Sequence, residues 1–180
     1  KWTSEDEVVQ NCWNRTYVGV NSCNRIIYQI ESGSIDIPDL KEQVLAELKV
    51  LRASYYYLLC DLYGNVPIVT QFDVPEGYLP AQNTRQEVYD FIVSEIVANV
   101  DKLSETVGGE FYGRFNKLAA YSLLAKVYLN AQVYTGVSHW EECIQACDQV
   151  INAGKYILEA NQSDVFATNN ANSKEIIMRL

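Results

Sequence analysis

The sequence predicts a mainly all-α fold, and three observations support this prediction. Apolar residues recur every three or four positions over several long stretches, which places them on one face of a helix. Glycine and proline collect between these stretches, above all in residues 64–83. Helix-start motifs precede two of the stretches. The predicted helices span about residues 4–30, 39–63, 84–103, 116–131 and 138–154.

The first predicted helix is expected to begin near Ser4, a suitable cap that is followed by acidic residues favoured at the positive end of a helix dipole. It carries Gly19 at mid-length, which costs about 1 kcal/mol relative to alanine. Close approach of another helix explains this glycine better than chance does. The predicted inward residues are Val9, Trp13, Thr16, Val20, Cys23, Ile27 and Ile30.

The second predicted helix has the longest continuous apolar face and stops at Gly64. Arg52 lies on it among leucines and tyrosines, so its guanidinium must either reach water or pair with a buried acceptor. We predict a structural tether to a carboxylate or carbonyl oxygen rather than a ligand contact. The first and third helices are expected to pack on this face. Its residues are Leu40, Val44, Leu48, Leu51, Tyr55, Leu58 and Leu62.

Capping-box motifs open the third and fifth predicted helices, with Thr84 and Glu87 in the first case and Ser138 and Glu141 in the second. Inward stripes are predicted for both. They comprise Val88, Phe91, Ile92, Ile96 and Val100 in the third helix, and Trp140, Ile144, Cys147 and Ile151 in the fifth. The fourth and fifth helices form a pair close to the tetratricopeptide period of about 34 residues. Helices two and three could form a second pair.

Two segments between or after the helices are expected to be distinctive. Residues 64–83 form a long loop, and loops of this length inside compact domains are usually functional or linkers. Near the end of the chain, residues 156–158 read as extended and Glu175 to Met178 reads as a short strand.

Composition excludes several classes of function. The 23 acids against 14 bases give a formal charge of −9, which repels nucleic acids and anionic lipid surfaces. No apolar run reaches the length of about 18 residues that spans a bilayer. Cys12 and Cys23 lie about 16 Å apart along one predicted helix, too far for a disulfide. Cys143 and Cys147 could bind a metal, but core packing is the commoner role of helical cysteines.

Neither a catalytic site, nor a metal site, nor a cofactor site is predicted. His139 is the sole histidine and lies at a helix start beside Trp140, where a role in the turn and in packing is more typical. No serine, cysteine or aspartate lies in a nucleophile motif. Gly108 and Gly109 are too few for a phosphate cradle and are not followed by the required lysine.

Aromatic residues indicate binding instead. The 13 tyrosines and 3 tryptophans exceed what the predicted helices need for packing. Such rings offer a broad apolar face with a polar group, and the C–H faces of sugars stack on them. Most of the rings are expected to pack between helices. The candidates for a glycan-binding surface are therefore those predicted in loops or at the chain start, namely Trp2, Tyr78 and Tyr112.

A series of short motifs runs through nearly the whole chain in a specific order. It includes Leu51-Arg52-Ala53, three successive tyrosines and Tyr63-Gly64-Asn65-Val66-Pro67-Ile68. The further motifs are Glu87-Val88-Tyr89 with Ile92, Arg114, Ala119-Ala120, Leu123-Leu124-Ala125-Lys126-Val127-Tyr128-Leu129, Trp140, Val150-Ile151, Gly154-Lys155-Tyr156-Ile157-Leu158, Phe166 and Glu175-Ile176-Ile177. Together they resemble the SusD/RagB family of cell-surface nutrient-binding lipoproteins of Bacteroidetes.

The resemblance implies tetratricopeptide-like helical pairs, no catalysis, no cofactor, and capture of oligosaccharides or other polymers at the outer membrane. It also implies a SusC-like TonB-dependent transporter as partner. Family members are much longer, so residues 1–180 are expected to form one N-terminal helical domain with a lipid anchor upstream. Ligand contacts in this family follow no fixed motif, so none is carried over. The alternatives are a tetratricopeptide-type scaffold that binds a peptide and, third, an all-helical glycosidase.

Overall fold

The computed structural model describes residues 3–170 and 173–178, which are mainly helical. The long helices are α1 (Glu7–Glu31), α2 (Lys41–Leu62), α3 (Arg85–Asn99), α4 (Lys117–Leu129) and α6 (Trp140–Asn152). Shorter elements are α5 (Ala131–Thr135), α7 (Gln162–Val165) and 3₁₀ turns at Val100–Lys102 and Gly109–Phe111. Strand-like pairing in the described residues is limited to one antiparallel bridge between Pro67 and Gln82.

The helices pack as pairs, which confirms the predicted tetratricopeptide-like architecture. Helix α2 contacts both α1 and α3, as expected for the helix on which its neighbours pack. Helix α4 packs on α6, and α3 contacts α4 and α5. These contacts join a first group, formed by α1, α2 and α3, to a second group, formed by α4, α5 and α6. The centre of the core contains Val50, Tyr56 and Leu59 of α2 with Ile92 and Ile96 of α3, all fully buried.

Arg85 and Tyr134 connect the end of α2 to the second group of helices. Arg85 donates hydrogen bonds to the carbonyls of Cys60 and Asp61, both at 3.0 Å, which satisfies acceptors that the end of a helix leaves open. Its guanidinium lies 5.1 Å from the ring centroid of Tyr134 on α5. The hydroxyl of Tyr134 in turn donates to Asp61 Oδ1 at 2.7 Å.

Of the three predicted cap residues Ser4, Thr84 and Ser138, one is correct and two are wrong. At α3, Thr84 and Glu87 form the expected capping box, whose hydrogen bonds lower the pKa of Glu87. Helix α6 begins at Trp140 rather than after Ser138, because His139 is its cap residue and pairs with the carboxylate of Glu142 at 3.0 Å. Helix α1 begins at Glu7, with Asp6 rather than Ser4 preceding it.

Gly19 marks the close approach of two helices, as predicted. A Cβ atom placed on Gly19 would lie 2.6 Å from two ring carbons of Tyr55 on α2. Real side chains do not approach this closely, so only glycine lets the tyrosine ring lie against the α1 backbone.

We expect Gly19→Ala to destabilise the chain by about 1–2 kcal/mol, because the added methyl group overpacks the Tyr55 contact. Helix propensity alone predicts the opposite sign, a gain of about 1 kcal/mol. Urea unfolding of Gly19→Ala measures the effect. In a Tyr55→Ala background the same substitution should stabilise, and destabilisation there too would show that the ring is not responsible.

The buried face of α2 differs from the predicted one. Leu40, Leu58 and Leu62 are exposed, whereas Ala46 and Val50 are fully buried. Because α2 is apolar on nearly every side between residues 44 and 59, the spacing of its apolar residues does not define one face. Its contacts with both α1 and α3 decide which positions are covered.

The predicted inward stripe of the fifth helix lies outward on α6. Trp140, Ile144 and Ile151 are 47%, 61% and 71% exposed, and Cys147 is partly buried. Helix α6 packs on α4 through another side, which includes buried Ala146. The amphipathic pattern is real, but within the described residues no element covers the apolar stripe.

All five cysteines are free. Cys23 and Cys60 are buried, and burial raises the pKa of each thiol to about 11. Cys12, Cys143 and Cys147 are only partly buried, so the predicted core role fits two of the five. No group of metal-binding side chains occurs among the described residues.

Candidate functional site

Arg52 is the polar centre of the group formed by α1, α2 and α3. Its side chain is 5% exposed and makes two hydrogen bonds of 2.8 Å to the Glu95 carboxylate on α3. It also donates to Asn24 Oδ1 on α1 at 2.7 Å and to the carbonyl of Thr70 at 3.3 Å. Burial raises the pKa of Glu95, and the Arg52 charge opposes this rise. The predicted structural tether is confirmed.

The start of the 64–83 loop is held by tyrosine hydroxyls from α1 and α2. The Tyr56 hydroxyl accepts from the N–H of Val69 at 2.7 Å and donates to its carbonyl at 3.1 Å. The Tyr17 hydroxyl donates to the carbonyl of Pro67 at 2.8 Å. Burial raises the pKa of Tyr56 to about 12. These bonds fix the part of the loop that lies on the helices.

Tyr78 lies further along the same loop, in a turn closed by its N–H and the carbonyl of Pro75 at 3.1 Å. Tyr78 is 46% exposed, and the adjacent Leu79 is 89% exposed. The loop therefore presents Tyr78 to solvent as expected. Trp2, the candidate at the chain start, lies outside the described residues.

A cleft of about 610 Å³ opens where three chain segments meet. Its lining residues come from the segment 107–116, from the turn after α6 and from the segment 173–177. Tyr112, which is 52% exposed, forms part of its wall. Gly108 and Gly113 both have positive φ and bracket the aromatic pair Phe111 and Tyr112, so the backbone can turn sharply on either side of the two rings.

The aromatic wall of the cleft is anchored to α2 by Arg114. This side chain makes hydrogen bonds of 2.9 and 2.8 Å to the two carboxylate oxygens of Glu47. The same guanidinium lies 4.7 Å from the ring centroid of Phe111. Because a two-point contact of this kind restrains orientation as well as distance, it positions the segment that carries Tyr112.

The floor of the cleft contains a chain of polar groups. Asn116 caps α4 by accepting from the N–H of Ala119 at 2.8 Å, and its Nδ2 donates to the Tyr156 hydroxyl at 3.1 Å. That hydroxyl donates to the carbonyl of Ile177 at 3.4 Å. The α4 start, the turn after α6 and the C-terminal segment are thereby connected.

The C-terminal segment is not the predicted strand. Within the described residues, a single backbone hydrogen bond joins the C-terminal segment to the turn after α6. It runs from the N–H of Ile157 to the carbonyl of Lys174 at 3.2 Å. Carboxylates replace the carbonyl acceptors of a strand ladder. Glu175 accepts from the N–H of Glu159 at 2.8 Å, and Glu159 accepts from the N–H of Lys174 at 3.1 Å. Side-chain acceptors thus hold the segment in place.

The cleft contains one of the three aromatic candidates. Tyr112 lines it, and Tyr78 does not. Sequence reasoning missed Asn116, Lys155 and Lys174, which also line the cleft. Their types are common on any surface, and only the fold shows that residues about 60 positions apart lie together.

The arrangement in the cleft suits noncovalent binding. It combines exposed aromatic carbon with amide, hydroxyl and ammonium groups, the mixture that orients a polar ligand in a pocket. His139 lies elsewhere, at the start of α6, beside the rings of Tyr89 and Tyr128.

Paired helices around an open cleft define the chain as a tetratricopeptide-like helical protein. Residues 1–129 match the SusD-like family described as "Starch-binding associating with outer membrane", and the chain belongs to this family. It is 27% identical to the starch-binding protein SusD of Bacteroides thetaiotaomicron, over 99% of the chain and 31% of that protein. It is 25% identical to SusD-like protein P25 of Formosa agariphila, over 96% of the chain and 32% of that protein.

Solved structures agree on the fold. A SusD-like protein of Bacteroides fragilis superposes with a TM-score of 0.80 at 28% identity, covering 95% of this chain and 33% of that one. A SusD-like carbohydrate-binding protein of the same species gives 0.84 at 22% identity, covering 98% and 34%. The family resemblance found in the motifs is confirmed. The chain spans about a third of the length of these relatives.

Proposed function

We propose that this chain is part of a non-catalytic protein that captures glycans at the outer membrane. The observation that supports the proposal most is the open cleft with Tyr112 in its wall, in a chain whose family is described as starch-binding. Binding would rest on stacking and hydrogen bonds alone and would use no cofactor. Trp2, Tyr78 and Tyr112 remain our proposed contacts.

The chemistry of the cleft is suited to a sugar polymer. A pyranose ring has an apolar C–H face that can cover an exposed tyrosine, while its hydroxyls need donors and acceptors at the edge. Tyr112 offers the ring, and Asn116 and Ser173 lie in the same lining. Partial burial of one such ring is worth roughly 1–2 kcal/mol, or about 5- to 30-fold in Kd.

We expect Tyr112→Ala to weaken binding of a glycan ligand by about 5- to 30-fold. Because the proposed surface also includes the chain start and the long loop, Trp2→Ala and Tyr78→Ala should weaken it too. The measurement is calorimetric titration with a ligand first identified on a panel of starch, laminarin and other soluble polysaccharides. Hydrolysis assayed on the same panel tests for a glycosidase.

Tyr28→Ala is the matched control for these substitutions. Tyr28 is 43% exposed, like the candidates, but lies on α1 with its ring 5.9 Å from that of Phe72. Its removal should leave the Kd unchanged. If Trp2→Ala, Tyr78→Ala and Tyr112→Ala all bind the ligand as tightly as the parent does, the proposed contacts are wrong.

A SusC-like TonB-dependent transporter is the proposed partner, with an upstream lipid anchor holding the full-length protein at the cell surface. The family description, which places its members at the outer membrane, supports this proposal. None of the helices in the described residues is both long and apolar enough to cross a membrane. Copurification of the full-length protein with a large outer-membrane transporter tests the partnership.

The scaffold alternative is favoured by one feature, the uncovered stripe of Trp140, Ile144 and Ile151 on α6. Exposed apolar side chains at helical spacing are typical of faces that take a peptide or another helix. A pull-down that recovers a peptide ligand, from a chain that responds to no member of the glycan panel, would support the scaffold and contradict glycan capture.

A further inference from the structure

Two lysines lie in the lining of the cleft. Lys155 follows α6 directly after Gly154, and Lys174 belongs to the C-terminal segment. The hydrogen bond from the N–H of Ile157 to the carbonyl of Lys174 holds the two segments side by side. Both side chains are exposed, and neither forms a salt bridge within the described residues.

Two other cations in this part of the chain are paired with carboxylates. Lys117 is shared between Asp101 and Glu105, at 3.1 and 3.5 Å. Arg114, at the edge of the cleft, is paired with Glu47. Lys155 and Lys174 differ from both of these cations in forming no salt bridge within the described residues.

Two carboxylates on the neighbouring segments already accept hydrogen bonds. Glu159 accepts from the hydroxyl of Ser173 at 2.8 Å and from the N–H of Lys174, and Glu175 accepts from the N–H of Glu159. Among the described side chains that line the cleft there is no carboxylate. The two lysines are therefore the charged groups among the described side chains that line the cleft, in a chain with a formal charge of −9.

We propose that the ligand of this cleft is an anionic oligosaccharide, one that bears uronate carboxylates or sulfate esters. The inference rests on the proposed glycan-capturing function and names its substrate class. Tyr112 would cover a sugar face while Lys155 and Lys174 hold the anionic substituents. Charge-assisted hydrogen bonds are stronger than those to neutral sugar hydroxyls, so the charged substituents select the ligand.

The test compares matched pairs of sugars that differ only in charge. One pair is an oligogalacturonate and its methyl ester, and the other is a sulfated galactan oligosaccharide and its desulfated form. We expect the chain to bind at least one anionic member about tenfold more tightly than its neutral form, with a preference that shrinks between about 20 and 200 mM NaCl. The two pairs distinguish carboxylate from sulfate.

Lys155→Gln/Lys174→Gln should abolish this preference, because it removes both ammonium groups from the lining of the cleft. Lys41→Gln removes an exposed lysine at the start of α2 that forms no salt bridge within the described residues, and it should keep the preference. Equal affinity for charged and neutral forms, or a preference that survives in the double variant, would overturn the inference while leaving glycan capture intact. Failure of every sugar on both panels to bind would overturn the proposed function and this inference with it.

Discussion

Replacement of Arg52 by methionine is expected to lower the free energy of unfolding by about 3–5 kcal/mol. The substitution keeps an apolar chain of similar length but leaves the Glu95 carboxylate, only 13% exposed, without its cation. It also removes the donor to Asn24 and to the carbonyl of Thr70. Urea unfolding of the variant and of the parent at neutral pH measures the loss. A lower midpoint with an unchanged m-value reports a change in stability.

The double variant Arg52→Met/Glu95→Leu distinguishes two causes of destabilisation, the unpaired Glu95 carboxylate and the loss of side-chain packing at Arg52. If an unpaired buried carboxylate causes the damage, removing it should recover most of the stability. Lys102→Met is the control, because its ion pair with Glu42 is 3.8 Å long and exposed, so its loss should change stability by less than about 1 kcal/mol. A double variant as unstable as Arg52→Met would show that the charge of Glu95 is not the cause.

The destabilisation caused by Arg52→Met should depend on pH, and the direction of the dependence can be predicted. Burial already raises the pKa of Glu95, and removing the opposing Arg52 charge raises it further. A carboxyl whose folded pKa exceeds its unfolded pKa stabilises the fold below the unfolded value and loses that contribution as pH rises through the folded value. The deficit of Arg52→Met relative to the parent should therefore be small near pH ~4 and grow toward neutrality.

Arg52 also shows how far the sequence can predict this fold. A guanidinium on an apolar helix requires an acceptor, so a carboxylate or carbonyl partner could be predicted. The identity of that partner could not, because Glu95 is 43 positions away and any of 23 acids could serve. The paired helices and the family were predictable because both depend on local spacing and on ordered motifs.

The cleft was harder to predict than the fold. Tyr112 could be named because it is aromatic and lies in a predicted loop, and Tyr78 met the same criteria without lining the cleft. What distinguishes them is the convergence of residues 107–116 with residues 155–177, which depends on side-chain bonds such as that of Asn116 to Tyr156. The predicted C-terminal strand failed for the same reason. Its apolar residues do not show whether backbone carbonyls or carboxylate side chains will accept hydrogen bonds from the segment.

Periodicity alone made equal predictions for α3 and α6, and the two helices provide a direct test of burial. Ile92 on α3 is fully buried, whereas Ile144 on α6 is 61% exposed. Ile92→Ala should lower the free energy of unfolding by about 2–5 kcal/mol, because it leaves a cavity between α2 and α3. Ile144→Ala should change it by less than about 0.5 kcal/mol, since alanine also favours the helix. Urea unfolding of this chain measures both.

The comparison is informative because the two substitutions remove the same atoms from helices predicted to be alike. A loss at Ile144 as large as that at Ile92 would mean that the α6 stripe is covered in solution. Sedimentation at two protein concentrations would then show whether a second copy of the chain covers it. If Ile144→Ala leaves the free energy of unfolding unchanged, the α6 stripe is uncovered in solution. The helical period of apolar residues then defines a face, and only tertiary packing decides whether that face is buried.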